Sequence, residues 1–184
     1  MRFNLSRKRY AMAVDTRKCV GCSACVIACK EENALPLASF RSWIETETRG
    51  RFPDLAMEIR SERCEQCTDA ACVANCPTGA SYYAKGGVVL VDRSLCTGCK
   101  ACVASCPYGA RSIHPDGYAD KCTFCLHRVD KGLKPACVAA CPTQSLAFGD
   151  INDSGSDIAK VLRTRQWKQI DTEAGTKPNL YFLI

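Results

Sequence analysis

The sequence lacks any long apolar run. A helix that spans a bilayer needs about 18–20 mainly apolar residues, and the apolar stretches around Cys25–Cys29 and Val88–Val91 are far shorter. We therefore predict no membrane span in this chain. The basic residues Arg7, Lys8 and Arg9 are not followed by the apolar segment and cleavage site of a secretory signal. Any export is accordingly expected to depend on a partner.

The chain also has few of the features that enzymes use. It contains only two histidines, His114 and His127, which we expect to be structural or surface residues. No glycine-rich phosphate loop, nucleophile beside a base or recognisable carboxylate pair is present. At 184 residues, the chain is short for a catalytic domain joined to a carrier domain. We predict that it performs no substrate chemistry and works with a separate catalytic partner.

Cysteine is the residue in excess, with 16 among 184 residues. All of them fall into four groups of four, and each group opens with two residues between cysteines and closes with three. The groups are Cys19, Cys22, Cys25 and Cys29; Cys64, Cys67, Cys72 and Cys76; Cys96, Cys99, Cys102 and Cys106; and Cys122, Cys125, Cys137 and Cys141. A disulfide framework scatters its cysteines along the chain, so this clustering favours metal ligation.

The spacing within the groups favours iron–sulfur clusters over zinc. A zinc site of four cysteines uses two C-x2-C pairs and has no need for a third cysteine at the same spacing. The first and third groups read C-x2-C-x2-C-x3-C, the pattern of proteins that hold two [4Fe–4S] clusters. Proline follows the last cysteine in three groups, as Pro77, Pro107 and Pro142, whereas Lys30 follows it in the first. We predict four [4Fe–4S] clusters, with a structural zinc module as the alternative.

The first and third groups form an internal repeat. The same offset separates Cys19 from Cys96 and Cys29 from Cys106. In two-cluster ferredoxins the fourth cysteine of such a run ligates the neighbouring cluster, so we expect the clusters to occur in pairs. The repeat by itself would suit pairing the first group with the second and the third with the fourth.

The formal charge of +6 does not by itself indicate nucleic-acid binding. A [4Fe–4S] core with four thiolates carries about −2, so four clusters would bring the loaded chain to about −2 overall. Lys18, Lys100, Lys121 and Arg128 stand beside ligand cysteines and are placed to offset cluster charge. We nevertheless expect each of them to be an ordinary solvated surface residue, and we predict no nucleic-acid partner.

The segments between the groups predict short elements. We expect strands at Leu55–Arg60, Tyr82–Tyr83 and Val88–Val91, the last two forming a hairpin. Residues 150–170 predict a polar turn and a short helix. The apolar tail, residues 178–184, is expected to pack on the core of this chain, with docking on a partner as the alternative.

The chain resembles a known family over residues 10–150. The likeness rests on three stretches and on widened spacings in the second and fourth groups. The stretches are Tyr10–Asp15, Cys76–Tyr82 and Lys121–Cys125, and the widened spacings are Cys67 to Cys72 and Cys125 to Cys137. These features are similar to those of the four-cluster iron–sulfur subunits of molybdopterin oxidoreductases of the DMSO reductase family, above all the polysulfide reductase type.

This resemblance implies an α+β fold with little regular secondary structure, in which two ferredoxin-like (βαβ-type) two-cluster units are related by pseudo-twofold symmetry. One unit would comprise residues 1–60 and 107–150, the second would be inserted at 61–106, and residues 151–184 would form a C-terminal extension. The implied ligand sets are Cys19, Cys22, Cys25 and Cys141; Cys29, Cys122, Cys125 and Cys137; Cys64, Cys67, Cys72 and Cys106; and Cys76, Cys96, Cys99 and Cys102. Some relatives carry tryptophan at the position of Cys99 and hold a three-iron cluster, so cysteine here implies four irons.

The same resemblance implies a function and partners. The chain would relay single electrons through four [4Fe–4S] clusters between an integral membrane quinone-binding subunit and a catalytic subunit with a molybdenum or tungsten bis-pterin guanine dinucleotide. It would lie in the periplasm or on the outer face of the cytoplasmic membrane, exported with the catalytic subunit; a cytoplasmic, membrane-associated position is the alternative. A soluble polyferredoxin or hydrogenase-linked carrier is the alternative function.

Overall fold

The computed structural model describes residues 8–184, so Arg7 of the basic run considered for a signal lies outside the described residues. Its regular elements are short and are joined by long loops, as the resemblance implies. The strands are β1 (Tyr10–Asp15), β2 (Ser42–Arg51), β3 (Asp54–Arg63), β4 (Ser81–Tyr83), β5 (Val89–Val91), β6 (Ser112–Ile113), β7 (Ala119–Asp120), β8 (Leu146–Asp150), β9 (Trp167–Lys168) and β10 (Leu180–Leu183). The α-helices are α1 (Ala24–Glu32), α2 (Ala71–Ala74), α3 (Ala101–Ala104), α4 (Leu126–Val129), α5 (Ala136–Ala139) and α6 (Asp157–Thr164).

A four-stranded sheet in the order β8-β1-β10-β9 lies at the centre of the fold. Every residue of β1 is buried, because this strand has a neighbour on each side and a packed layer on each face. Met12 lies opposite Phe148 in antiparallel β8 and opposite Leu180 in parallel β10. One face of the sheet packs on the cysteine-bearing loops, and the other packs on Ile158 of α6.

The C-terminal tail is part of this sheet. All four residues of β10 are buried, and the strand pairs with β1 along its length. The prediction that the tail packs on the core of its own chain is confirmed. The predicted short helix is α6, which begins after Ser156, whose Oγ accepts a hydrogen bond of 3.2 Å from the Ala159 amide.

Three antiparallel strand pairs lie outside the central sheet within residues 8–184, and one of them is β6 with β7. The predicted strand at Leu55–Arg60 is the middle of β3, which pairs antiparallel with β2 over ten residues. The sequence prediction missed β2, since its charged and polar residues show no apolar alternation. The hairpin of β4 and β5 is confirmed, with a one-turn 3-10 helix at Lys85–Gly87 between the strands.

The helices that carry the third cysteine of each group differ in length for a local reason. Helices α2, α3 and α5 each span four residues, and proline follows the next cysteine. A residue that precedes proline is disfavoured in the α conformation, so the helix ends there. Lys30 replaces proline in the first group, and α1 continues for nine residues. Helix α1 packs on α5, and α2 packs on α3.

No helix within residues 8–184 is both long enough and apolar enough to cross a membrane.

Candidate iron–sulfur centres

Three cavities are each lined by four cysteines. The cysteines that line them are Cys76, Cys96, Cys99 and Cys102; Cys64, Cys67, Cys72 and Cys106; and Cys19, Cys22, Cys25 and Cys141. Each cavity therefore draws three cysteines from one group and the fourth from another.

The remaining four cysteines lie together in the interior. Cys29, Cys122, Cys125 and Cys137 are all buried. Burial raises the pKa of the Cys29 thiol to about 12, and the negative charges of the other three thiolates add to the rise. Burial likewise raises the pKa of Cys122 to about 11. The structure thus brings together all sixteen predicted site residues as four sets of four.

These sets fit a cluster better than a single ion. In the part of the chain that the structure describes, no three Cys, His, Asp or Glu side chains are arranged to hold one metal ion. In three of the four sets, the four thiols instead line one cavity together. Four soft thiolate ligands around such a space are the donor set that binds a [4Fe–4S] cluster.

The residue before the second cysteine of each group has the left-handed backbone conformation. This position is occupied by Gly21 and Gly98, with φ of 67° and 66°, and by Gln66 and Phe124, with φ of 47° and 51°. Glycine adopts such angles freely, whereas other residues lose roughly 1–2 kcal/mol there. The second and fourth loops keep the same turn without glycine, so other contacts must stabilise them.

Buried side chains supply those contacts. Gln66 is 1% exposed; its amide nitrogen donates to the Cys122 carbonyl at 2.7 Å, and its amide oxygen accepts from the Val89 amide at 2.8 Å. Phe124 is also 1% exposed, and its ring meets Phe148 edge-on at 5.4 Å. Sequence reasoning missed both residues, although a non-glycine residue at a position that holds glycine in the sister groups was a usable signal.

Hydrogen bonds to sulfur distinguish two of the fourth cysteines. Burial raises the pKa values of Cys76 and Cys141, but donors outweigh it and both pKa values lie below the usual range. The Ser81 amide donates to Cys76 at 3.4 Å, and the Ser145 hydroxyl lies 3.2 Å from the Cys141 sulfur. Such donors stabilise the thiolate, which is the form that binds iron.

The expectation that basic residues beside the cysteines are solvated is wrong for Lys121. Lys121 is 2% exposed. Its ammonium group donates to the Val89 carbonyl and, at 2.7 Å, to the Cys122 carbonyl. Lys18 and Lys100 are exposed, as expected.

Comparison with known proteins identifies the class. The 4Fe-4S dicluster domain matches residues 55–151, and a second family with the same description matches residues 18–80. The chain is therefore a protein of the two-cluster ferredoxin class, with two such domains in its sequence.

Individual relatives narrow the class to a family. The chain is 44% identical to the "Protein NrfC homolog" of Haemophilus influenzae over 96% of this chain and 80% of the relative. It is 42% identical to a polypeptide of the polysulfide reductase of Wolinella succinogenes over 96% and 94% of the two sequences. With a subunit of the tetrathionate reductase of Salmonella typhimurium it shares 39% identity over 96% and 73%.

This protein belongs to the family of iron–sulfur subunits of molybdopterin oxidoreductases. It holds four [4Fe–4S] clusters, two for each dicluster domain, and sixteen cysteines are present to ligate them. Its function is electron transfer within an oxidoreductase complex.

Proposed function

We propose that this chain relays single electrons between an integral membrane subunit that reacts with quinone or quinol and a molybdopterin catalytic subunit, and that it has no catalytic site of its own. The observation that carries the proposal is the grouping of sixteen cysteines into four sets, of which two include an exposed cysteine. Cys22 and Cys99 are exposed and belong to different sets. Two exposed clusters suit electron entry from one partner and exit to another.

We propose the same four ligand sets that the resemblance implies, each with three cysteines of one group and the last cysteine of another. The three four-cysteine cavities and the electrostatic contacts of Cys29 support this partition. It departs from the pairing that the internal repeat would suit. The last cysteine of each group then serves the cluster of a neighbouring group.

Close contacts between the sets support a linear order of the clusters. The negative charge of Cys25 acts on Cys137, which joins the set containing Cys22 to the wholly buried set. The charge of Cys64 acts on Cys122, which joins the buried set to the next. Helices α2 and α3 pack together and carry cysteines of the last two sets. The sets that contain Cys22 and Cys99 would then be the two ends.

We propose that residues 1–60 and 107–150 form one ferredoxin-like unit, that residues 61–106 form a second unit inserted into it, and that the two are related by a pseudo-twofold axis. The packing of α1 on α5 and of α2 on α3 supports this division, because each helix pair carries cysteines of one proposed pair of clusters. Residues 151–184 would be the extension; β9 and β10 join the central sheet, and α6 packs against β8 and β1.

For location, we propose the periplasm or the outer face of the cytoplasmic membrane, with export alongside the catalytic subunit. The similarity to polypeptides of a polysulfide reductase and a tetrathionate reductase supports an assembly of several subunits. Protease added to intact spheroplasts would digest an outer-face complex and spare one on the cytoplasmic side.

The test is reduction of the native complex by a quinol. We expect the chain to copurify from membranes with a subunit that contains molybdenum or tungsten pterin and with a membrane subunit. A soluble quinol analogue should reduce the clusters in this complex but not after the membrane subunit is removed, whereas dithionite should reduce them in both samples. A chain that is purified alone, or that takes no electrons from quinol in the intact complex, would contradict the proposal and favour a soluble carrier.

A further inference from the structure

Two buried arginines aim their guanidinium groups at cysteine sulfurs. Arg63 is 1% exposed, and its Nη1 donates to Cys137 Sγ at 3.0 Å. Arg111 is 6% exposed, and its Nη2 donates to Cys72 Sγ at 2.9 Å. These two cysteines belong to the two sets that contain neither Cys22 nor Cys99.

A third buried arginine shows how unusual this arrangement is. Arg41 is 7% exposed and makes a two-bond ion pair with Asp120, with N–O distances of 2.8 and 2.6 Å. Within residues 8–184, Arg63 and Arg111 have no carboxylate partner within 4.0 Å. A buried cation without a counter-charge is strongly unfavourable. The cysteine thiolates are therefore the negative partners of both arginines.

Arg63 also lies between two of the sets. It donates to the hydroxyl group of Ser61, which lies 3.2 Å from the sulfur of Cys25 in the neighbouring set. The guanidinium thus faces the cluster of Cys137 directly and the cluster of Cys25 through one serine.

Arg111 likewise lies between two sets, those that contain Cys72 and Cys76. Its Nη1 donates to the Ser81 hydroxyl at 2.9 Å, and the Ser81 amide donates to Cys76 of the adjoining set at 3.4 Å. Arg111 contacts the set of Cys72 directly, and it reaches the neighbouring set both through Ser81 and at the Cys102 sulfur. Two independent segments of the chain have produced the same arrangement, an arginine and a serine between paired clusters.

The electrostatic consequence follows from the charge that reduction adds. One electron takes a [4Fe–4S] cluster with four thiolates from about −2 to about −3. Burial disfavours the additional negative charge and lowers the reduction potential, whereas a cation and hydrogen bonds at the sulfurs raise it. A guanidinium stays protonated in proteins, so its effect does not depend on pH in the physiological range.

We propose that Arg63 and Arg111 raise the reduction potentials of the clusters they contact, through Cys137 and Cys72, and so offset the cost of adding negative charge to clusters whose cysteines are wholly or partly buried. The proposal rests on the proposed ligand sets. Both arginines are positioning residues that act through the cluster sulfurs. They would keep the two inner clusters within reach of electrons that arrive from the exposed ends.

The test is a potentiometric titration of the purified complex followed by EPR, with Arg63→Gln and Arg111→Gln. Glutamine keeps a hydrogen-bond donor and removes the charge. Arg63→Gln should lower most the midpoint potential of the cluster that Cys137 ligates, and Arg111→Gln should lower those of the clusters that Cys72 and Cys102 ligate. We expect at least a tenfold change in the ratio of oxidised to reduced cluster at fixed potential, which is about 59 mV for one electron. The double variant should show both shifts.

Arg49→Gln is the matched control. It removes the same charge from an exposed arginine on β2, whose hydrogen bonds are to Glu47 at 2.8 Å. All four potentials should stay unchanged in this variant. Unchanged potentials in Arg63→Gln and Arg111→Gln, with all clusters assembled, would refute the proposal. So would a uniform shift of all four potentials.

If a glutamine variant loses a cluster, Arg63→Lys and Arg111→Lys test whether the positive charge sets the potential. Lysine retains the positive charge and lacks the planar guanidinium, so the corresponding midpoint should move by less than the tenfold change expected for glutamine. A full tenfold change in the lysine variants would contradict charge as the cause. Quinol reduction of each variant complex tests the electron relay separately, and iron content tests the ligand sets.

Discussion

The four ligand loops are of two kinds. The first and third have glycine before the second cysteine, and the second cysteines Cys22 and Cys99 are exposed. The second and fourth have Gln66 or Phe124 at that position, both fully buried, and their second cysteines are partly or wholly buried. All four positions share the left-handed conformation. The turn is therefore a requirement of the ligand loop, and the residue that occupies it reflects what surrounds the loop.

The two kinds of loop differ in what surrounds them: Cys22 and Cys99 are exposed, whereas the buried side chains Gln66 and Phe124 support the other two loops. An exposed loop has little around it to hold a strained residue, so glycine is the low-energy solution. A buried loop can accept the strain because its side chain packs or forms hydrogen bonds. The same inner loops lie beside the arginines at Cys137 and Cys72. The two end sets of the proposed row thus have an exposed cysteine and a glycine turn. The two middle sets are instead held by hydrogen bonds and packing of buried side chains.

The largest effect should come from Phe124→Ala. This change removes a fully buried ring from the core and leaves a left-handed alanine, at a cost of about 3–5 kcal/mol. For a chain of this size the midpoint temperature for loss of cluster absorbance should fall by roughly 10 °C. Val20→Ala, in the exposed first loop, is the control, since Val20 is 61% exposed. Equal midpoint temperatures for the two variants would contradict the claim that the buried loop depends on side-chain packing and the exposed loop does not.

A smaller effect is expected when the bridge made by Gln66 is removed. Gln66→Ala leaves the Val89 amide without its partner, whereas the Cys122 carbonyl keeps the hydrogen bond from Lys121. The unpaired amide costs about 1–3 kcal/mol. Gln66→Gly removes the same bridge but relieves the left-handed strain, so it should be more stable than alanine by roughly 1 kcal/mol. Thermal loss of the clusters would rank the three proteins. If Gln66→Ala loses its clusters at the same temperature as Gln66→Gly, or at a higher one, the backbone at position 66 is not strained.

The smallest effects concern Gly21 and Gly98, which occupy corresponding positions of the internal repeat. They test whether alanine has the same cost at both positions. A Cβ on Gly98 would lie 2.2 Å from the Gly117 carbonyl oxygen, whereas a Cβ on Gly21 would meet the Ile59 side chain at 3.3 Å. Gly21→Ala should cost roughly 1–2 kcal/mol from backbone strain alone. Gly98→Ala should cost more, because backbone has to move. The order of the two cluster-loss midpoints is the measurement, and a reversed order would contradict the geometry.

Cysteine spacing was sufficient to predict the kind and number of clusters, and local patterns predicted β3, the β4–β5 hairpin, α6 and the packing of the tail. Strand β2 was missed because it is polar. Arg63 and Gln66 were missed because their partners are distant in sequence, by 74 residues for Arg63 and Cys137 and by 56 for Gln66 and Cys122. No local pattern records such contacts.

The sequence by itself determined the ligand loops, since two-residue spacings wrap three cysteines around one cluster and the prolines end the following helices after one turn. Only the tertiary structure decided which group's fourth cysteine lies beside each loop. That choice depends on how the central sheet and the paired helices bring distant segments together. Tertiary packing also buried Arg63 and Arg111 against sulfur, because a cation far along the chain becomes a neighbour only after folding.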